Sequence, residues 1–346
     1  MEKTEKRKRA MTQFKRFMLM GFFLAMLSAA MPFAAAAQPQ DLSALPPGSQ
    51  AHLDALAMAL PDIAAVVKEY PHITFLFALE AFGQSIDSRQ QTLDLGAFTV
   101  ADMGALTAVL DCLPALTRVD MFESRVTAED MAMLSARYPG IFFGWTIQIR
   151  EHTIRTDATA FSTLHNNRSP QHSSLDFEPI KYCKHLRALD LGHNAITDIS
   201  FIRDLKELRV LILAINQIED ISVLSQLPRL EYVELFKNKI RDISALSGMR
   251  HLLDLNICFN YVQDYGPLFG LSQLRRLWLY NSNNYSTSRP VPKDVVAGLT
   301  AALPNCHIDS THYSTLGGWR EHPRYFVIFD IFKNSVYQPF APDPVP

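Results

Sequence analysis

The chain lacks the short frames that announce catalysis. Its 346 residues contain no H-E-x-x-H, no G-x-S-x-G and no phosphate loop. Charge of one sign is lacking too: 33 basic residues face 35 acidic ones, a formal net charge of −2. Seven of the basic and two of the acidic residues lie in residues 1–37, and without that segment the charge is −7. A mildly acidic chain is a poor nucleic-acid binder, so none is expected as partner. Eleven histidines are scattered, densest at His165, His172, His185 and His193. No single element holds them at ligand spacing, so they read as solvated or capping groups. No metal, cofactor or enzymatic activity is expected.

What is present is a leucine that returns every 22 residues: Leu186, Leu208, Leu230, Leu252 and Leu274. Each opens the frame L-x-x-L-x-L-x-x-N-x-I-x-D-I. The asparagine is Asn194, Asn216, Asn238 and Asn260, with Ser282 in the fifth copy, and Asp198, Asp220, Asp242 and Asp264 follow. Self-similarity at this period is the mark of a leucine-rich repeat. One repeat cannot bury its apolar face, but stacked repeats can. The L-x-L core forms a strand with leucines inward at period two and the intervening residues outward on a concave face. The asparagine amide can bond backbone groups that the turn leaves unpaired. The aspartate is placed to cap the turn that follows. The fold expected is an α/β leucine-rich repeat solenoid (a horseshoe) with a parallel concave sheet, a helical N-terminal part and a C-terminal cap.

Residues 1–37 read as a signal peptide. Seven Lys or Arg in the first 16 residues precede 21 uncharged ones, Phe17 to Ala37, that end in alanines. The chain is then secreted and free of the membrane; an uncleaved membrane anchor is the alternative. Residues 38–72 read as linker and N-terminal helical cap, with helix over 51–70 broken at Pro61. Residues 73–149 read as longer, irregular repeats with convex helices near 102–112 and 128–137, the second opened by Thr127-Ala-Glu-Asp130. Residues 150–182 fit no repeat and read as a loop insertion. Residues 183–303 hold the regular repeats and a second irregular loop. Residues 304–337 read as a cap over the last repeat, with a helix from Pro323 presenting Tyr325, Phe329 and Phe332. The four-proline tail 338–346 reads as disordered. By register, Cys183 and Cys306 are core, Cys112 lies at a helix position and Cys258 is the most accessible, on the concave face. All four read as free thiols.

The same register names the concave residues: Asp190, Ile212, Tyr232, Glu234, Phe236, Asp254, Asn256, Arg276, Trp278 and Tyr280. Aromatic anchors within charged residues are what interface centres contain, so these ten form the expected ligand site. About ten strands at roughly 4.8 Å spacing make a sheet on the order of 40 Å wide, ample for a protein or peptide ligand. A carbohydrate or cell-wall glycan stacked on the same rings is the alternative. A hydrolase using Asp157 and His165 of 150–182 is a third reading. Coverage of the face by 150–182 would remove the site.

The 22-residue frame resembles the leucine-rich repeats of bacterial internalin-like proteins, best over residues 184–271. Leu93-Asp-Leu-Gly96, Val119-Asp-Met121, Arg155-Thr-Asp157, Leu189-Asp-Leu-Gly-His-Asn194 and Gly318-Trp-Arg320 resemble an uncharacterised group of secreted bacterial leucine-rich repeat proteins. The resemblance implies export and ligand binding through the concave face, and no chemistry. The chain shows no L-P-x-T-G sorting signal and no wall-binding repeats, so host-cell adhesion is not carried over.

Overall fold

A computed structural model describes residues 42–96, 99–124, 126–163, 171–283, 290–313 and 315–341. The signal segment 1–37, His165 and residues 342–346 lie outside the described residues. The chain divides into two compact units, Met1–Ser49 with Tyr70–Ile73, and Gln50–Glu69 with Thr74–Pro346. In the first, the Gly48 N–H donates to the His72 carbonyl at 2.9 Å. The second carries the repeats.

Its strands, in chain order, are β1 (Gln50–His52), β2 (Thr74–Leu76), β3 (Ala78–Ala81), β4 (Gln84–Asp87), β5 (Thr92–Asp94), β6 (Arg118–Asp120), β7 (Phe142–Gly144), β8 (Thr146–Ile149), β9 (His152–Arg155), β10 (Ala160–Ser162), β11 (Ala188–Asp190), β12 (Val210–Ile212), β13 (Tyr232–Glu234), β14 (Asp254–Asn256), β15 (Arg276–Trp278) and β16 (His307–Asp309). The helices are α1 (Leu60–Glu69), α2 (Met103–Leu110), α3 (Ala128–Arg137), α4 (Ser174–Phe177), α5 (Lys293–Ala302) and α6 (Pro323–Asn334). Strands β5 to β7 make a parallel sheet of three, and β10 to β16 a parallel sheet of seven. This is a leucine-rich repeat solenoid.

The sequence ladders explain the seven-stranded sheet. Leu186, Leu208, Leu230 and Leu252 are fully buried, and each such side chain contributes roughly 2–5 kcal/mol against alanine. Each asparagine serves two rungs. Asn216 Nδ2 donates to the Leu191 and Leu213 carbonyls at 2.9 and 3.1 Å, and its Oδ1 accepts from the Ile196 N–H at 3.0 Å. Asn238 and Asn260 repeat the pattern. The residue before each rung's asparagine is left-handed: His193, Ile215, Lys237, Phe259 and, before Ser282, Asn281, with φ from 48° to 61°. That conformation costs roughly 1–2 kcal/mol for a side-chain-bearing residue. It turns the chain off the strand, and the Ile215 N–H then reaches the Phe236 carbonyl at 2.7 Å. The aspartates cap the short convex turns, with Asp198 Oδ1 accepting from Ser200 N–H and Asp242 Oδ1 from Ser244 N–H, both at 2.8 Å.

Residues 74–94 and 142–162 are two copies of one unit. In each, a parallel strand runs into an antiparallel hairpin and then into a new parallel strand, in one register displaced by 68 residues. Phe75, Phe77, Leu79, Ile86 and Leu93 correspond to Phe143, Trp145, Ile147, Ile154 and Phe161. A hydroxyl closes each hairpin: Ser88 Oγ bonds the Phe75 carbonyl at 2.7 Å, and Thr156 Oγ1 the Phe143 carbonyl at 3.0 Å. The hairpin turns pass through left-handed Phe82 and Arg150. Even the flanking ion pair is kept with its charges exchanged, Asp87 with Arg89 and Asp157 with Arg155.

This duplication corrects several expectations. Residues 150–182 are not a loop insertion, because β9, β10, α4 and a short turn over Glu178–Tyr182 lie within them. Their hairpin-bearing period hid them from a 22-residue frame. The described parallel strands split into sheets of two, three and seven rather than one of about ten. Pro61 breaks no helix: it is the second residue of α1, where the first turn needs no N–H from it, and Gln50–His52 is a strand. Helices α2 and α3 lie within the expected segments, and Thr127 and Asp130 form a capping box on α3. The segment after β16 does not simply close the last repeat. Helix α6 packs against β10 and β11, at the opposite end of the seven-stranded sheet. Beyond it, Phe340 in the expected disordered tail packs against a buried cluster that includes Ile331 and Phe332 of α6 and Ala188 of β11.

Candidate functional site

Every residue of β10 to β15 is buried, on both faces. The ten residues expected to stand open on the concave face are therefore covered, nine fully and Tyr280 in part. The cover is the chain's own C-terminal segment. Trp319, Ile328, Ile331 and Phe332 pack onto Ala188, Val210, Ile212, Tyr232 and Trp278, with Tyr337 and Phe340 alongside. Covering the outward face removes the aqueous surface that an open site needs. Cys258 is covered with it, and burial raises its thiol well above the ordinary range; only Cys306 of the four free thiols is partly exposed.

Electrostatics fixes the cover in register. Asp254 sits between two guanidiniums, each bound through two nitrogens. Arg276 reaches it from the neighbouring strand at 2.9 and 2.8 Å, and Arg324 from α6 at 2.7 and 2.8 Å. All three are nearly or fully buried, at 0, 4 and 3 % exposure. Burial alone would push the Asp254 carboxyl up, but the two guanidiniums outweigh it and hold it below the usual range. Removing one member of such a group leaves a buried charge uncompensated, at a cost of roughly 3–5 kcal/mol.

Trp319 is the second anchor. Its ring lies 5.4 Å from Tyr232 and 5.0 Å from Trp278, under the Arg276 guanidinium at 4.6 Å. The Trp319 carbonyl accepts from Arg276, and the Trp278 indole N–H donates to the Leu316 carbonyl, both at 2.9 Å. The chain enters this turn through Gly317 and Gly318, at φ 70° and 95°. A Cβ on Gly317 would lie 2.6 Å from Asp309 Oδ2 and from the His312 ring, so no larger residue fits unstrained. Sequence reasoning missed Trp319 and Arg324 as partners of this face. The signal was there: an outward Asp254, Arg276 and Trp278, and within the last 30 residues an arginine and a tryptophan to complement them.

The cover leaves a cleft of about 440 Å³ between the early rungs and α6. Of the ten expected site residues, Asp190, Ile212 and Glu234 line it, opposite Arg320, Tyr325, Phe329 and Lys333. Phe329, one of the three aromatic residues that the cap helix presents, is 61 % exposed. Asp190 accepts from the Gly192 N–H at 3.0 Å and from Ser162 Oγ at 3.1 Å. Burial nevertheless pushes its carboxyl up to about 7, with the Glu234 charge adding to the rise. Burial also raises Glu234, against the hydroxyl of Tyr232 at 3.0 Å and the indole N–H of Trp319.

Of the two residues named for hydrolysis, Asp157 alone is described. Asp157 is ion-paired with Arg155 and Arg118, and its partner His165 lies outside the described residues. The histidines are less scattered than expected: His152 and His172 close on Glu151, with the three ligand atoms within 4.8 Å of one another.

A family model of leucine-rich repeats (2 copies) matches residues 184–222 and 206–248. No curated protein matches the chain. Among solved structures the chain is similar to an internalin (inlF) from Listeria monocytogenes, at 20 % identity over 64 % of this chain and 54 % of that one, with TM-score 0.36. It is similar to an internalin C2 (inlC2) from the same organism at 20 % identity, over 72 % and 93 %, with TM-score 0.35. It is also similar to a leucine-rich repeat protein from Leptospira interrogans at 16 % identity, over 70 % and 62 %, with TM-score 0.35. The chain spans about half the length of the first of these. No described helix is long and apolar enough to cross a membrane. The leucine-rich repeat fold supports, in general terms, a protein-interaction module.

Proposed function

We propose that this chain is an exported bacterial binding module. It takes a protein or peptide ligand at the cleft between the early concave rungs and α6, not across the whole concave face. The observation that carries the reading is the composition of that cleft. Asp190 and Glu234 form a buried acidic floor, Ile212 and Ile328 make apolar walls, and the exposed Phe329 and Lys333 make a rim. An apolar recess with a few convergent polar groups is how proteins take a single anchoring side chain. The floor suits a basic side chain, whose apolar stem would lie on the walls. Tyr232, Phe236, Asp254, Asn256, Arg276, Trp278 and Tyr280 then serve the ligand only indirectly, beneath the C-terminal segment that covers them. Export by residues 1–37 belongs to the same reading.

Capture from native surroundings tests it, with the chain run beside a Phe329→Ala, Lys333→Glu variant. Both changes are at the rim and leave the buried cover intact. A protein retained at least tenfold less by the variant supports the cleft. Equal retention moves the ligand elsewhere, and retention of glycans alone replaces the protein reading with the carbohydrate one.

A further inference from the structure

The turn between β8 and β9 brings Glu151 and His152 against His172, which precedes α4. His172 is buried, and its tautomer is fixed from behind. Asn194 Nδ2 donates to the carbonyls of Leu191 and Gly192 at 3.1 and 3.2 Å and to Thr163 Oγ1 at 3.1 Å. Carbonyls only accept, so the side of Asn194 that faces His172 is its oxygen. That oxygen takes the backbone N–H of His172 at 3.0 Å, and lies 3.1 Å from its Nδ1. Nδ1 therefore carries the proton. Nε2 points the other way, 3.2 Å from Glu151 Oε2. It faces that carboxylate with either a second proton or a shared cation. His152 Nε2 approaches the other oxygen, Oε1, at 3.5 Å.

We propose that Glu151, His152 and His172 hold one divalent ion of the zinc class, which clips the β8–β9 turn to the first asparagine rung. Two imidazoles and a carboxylate are a donor set for late first-row metals. Bonds of about 2.0–2.1 Å at tetrahedral angles set ligand atoms about 3.3–3.4 Å apart. The separation of His172 Nε2 from Glu151 Oε2, 3.2 Å, is already close to that value; His152 Nε2 lies 3.5 Å from the other carboxylate oxygen, and one ligand atom from each residue falls within 4.8 Å of the other two. The Asn194 oxygen on the rear nitrogen of His172 is the outer-shell acceptor that metal-bound imidazoles have. Arg150, beside the site, sends its guanidinium to Asp176 at 2.8 Å instead. The duplicated hairpin is an internal control: at the positions of Glu151 and His152 the first copy has Gly83 and Gln84, so the fold itself does not demand these ligands.

The test is calorimetric titration of the chelator-treated full chain with zinc chloride, together with thermal melting and cobalt(II) absorption. One equivalent should bind, raise the melting temperature and give the visible bands of low-coordinate cobalt. Glu151→Gln and His152→Gln should each weaken binding at least tenfold, and together abolish it. Glu151 is exposed, so the metal-free Glu151→Gln variant should melt with the metal-free parent, which separates loss of metal from loss of fold. No stoichiometric uptake by the parent would overturn the proposal in favour of a protonated His172 paired with Glu151. Undiminished uptake by the double variant would overturn it in favour of another site.

Discussion

On β5 to β7 the inward residues Leu93, Val119 and Phe143 are buried, while the outward Thr92 and Asp94 are exposed and Arg118 and Asp120 half-exposed. On β10 to β15 inward and outward residues alike are buried. The strands are of one length and the pairing is parallel in both sheets. Both outward faces also carry arginine–aspartate pairs. The difference is what lies on top. Arg118 and Asp120 on the small sheet, with Arg155 and Asp157 at the end of the β8–β9 hairpin, form a partly solvent-screened group. Asp254, Arg276 and Arg324 form a desolvated one under α6. Similar ionic groups should therefore differ several-fold in energy.

The largest effect expected is from Asp254→Ala, which strands two buried guanidiniums: a loss of roughly 3–5 kcal/mol in denaturant unfolding. Asp190→Asn should act in the opposite direction, and only at higher pH. The Asp190 carboxyl titrates near 7 when folded, above the ordinary 3.8. Its contribution is thus full below about pH 4 and is lost as pH rises through 7. The asparagine should match the parent near pH 4 and exceed it at pH 8, by up to about 4 kcal/mol. A difference that does not vary with pH would show that Asp190 is not desolvated by the cover. Gly317→Ala should cost about 1–2 kcal/mol, through its left-handed φ and its crowding against Asp309. Arg118→Ala on the open sheet should cost less than about 1 kcal/mol. Equal losses in Asp254→Ala and Arg118→Ala would abolish the distinction between the two faces.

The stacked part of the molecule was legible because each ladder has one physical reason that repeats. Leu208 must be apolar, Asn216 must bond two rungs and Asp220 must cap a turn, so each recurs at the same step. The duplicated hairpins were less legible, because their period is three times longer and occurs only twice. The cover was not legible as such. Outward Tyr232, Asp254 and Trp278 have the composition of an interface, and they are in one. Composition identifies a surface that will be covered, but it does not say by what. The partner is supplied in cis by Trp319 and Arg324, and an arginine on an amphipathic helix reads locally as a solvated charge. Glu151 and His172 were missed because their 21-residue separation is closed by tertiary packing rather than by one element.

The C-terminal helix is seated on the concave face through Asp254. A double-mutant cycle on Asp254→Ala and Arg324→Ala, read by equilibrium unfolding, decides whether the helix stays there in solution. A seated helix requires a coupling of about 2 kcal/mol or more between residues 70 positions apart. Additive losses, with coupling near zero, would mean that α6 does not rest on this face in solution and that the concave residues stand open to a ligand after all.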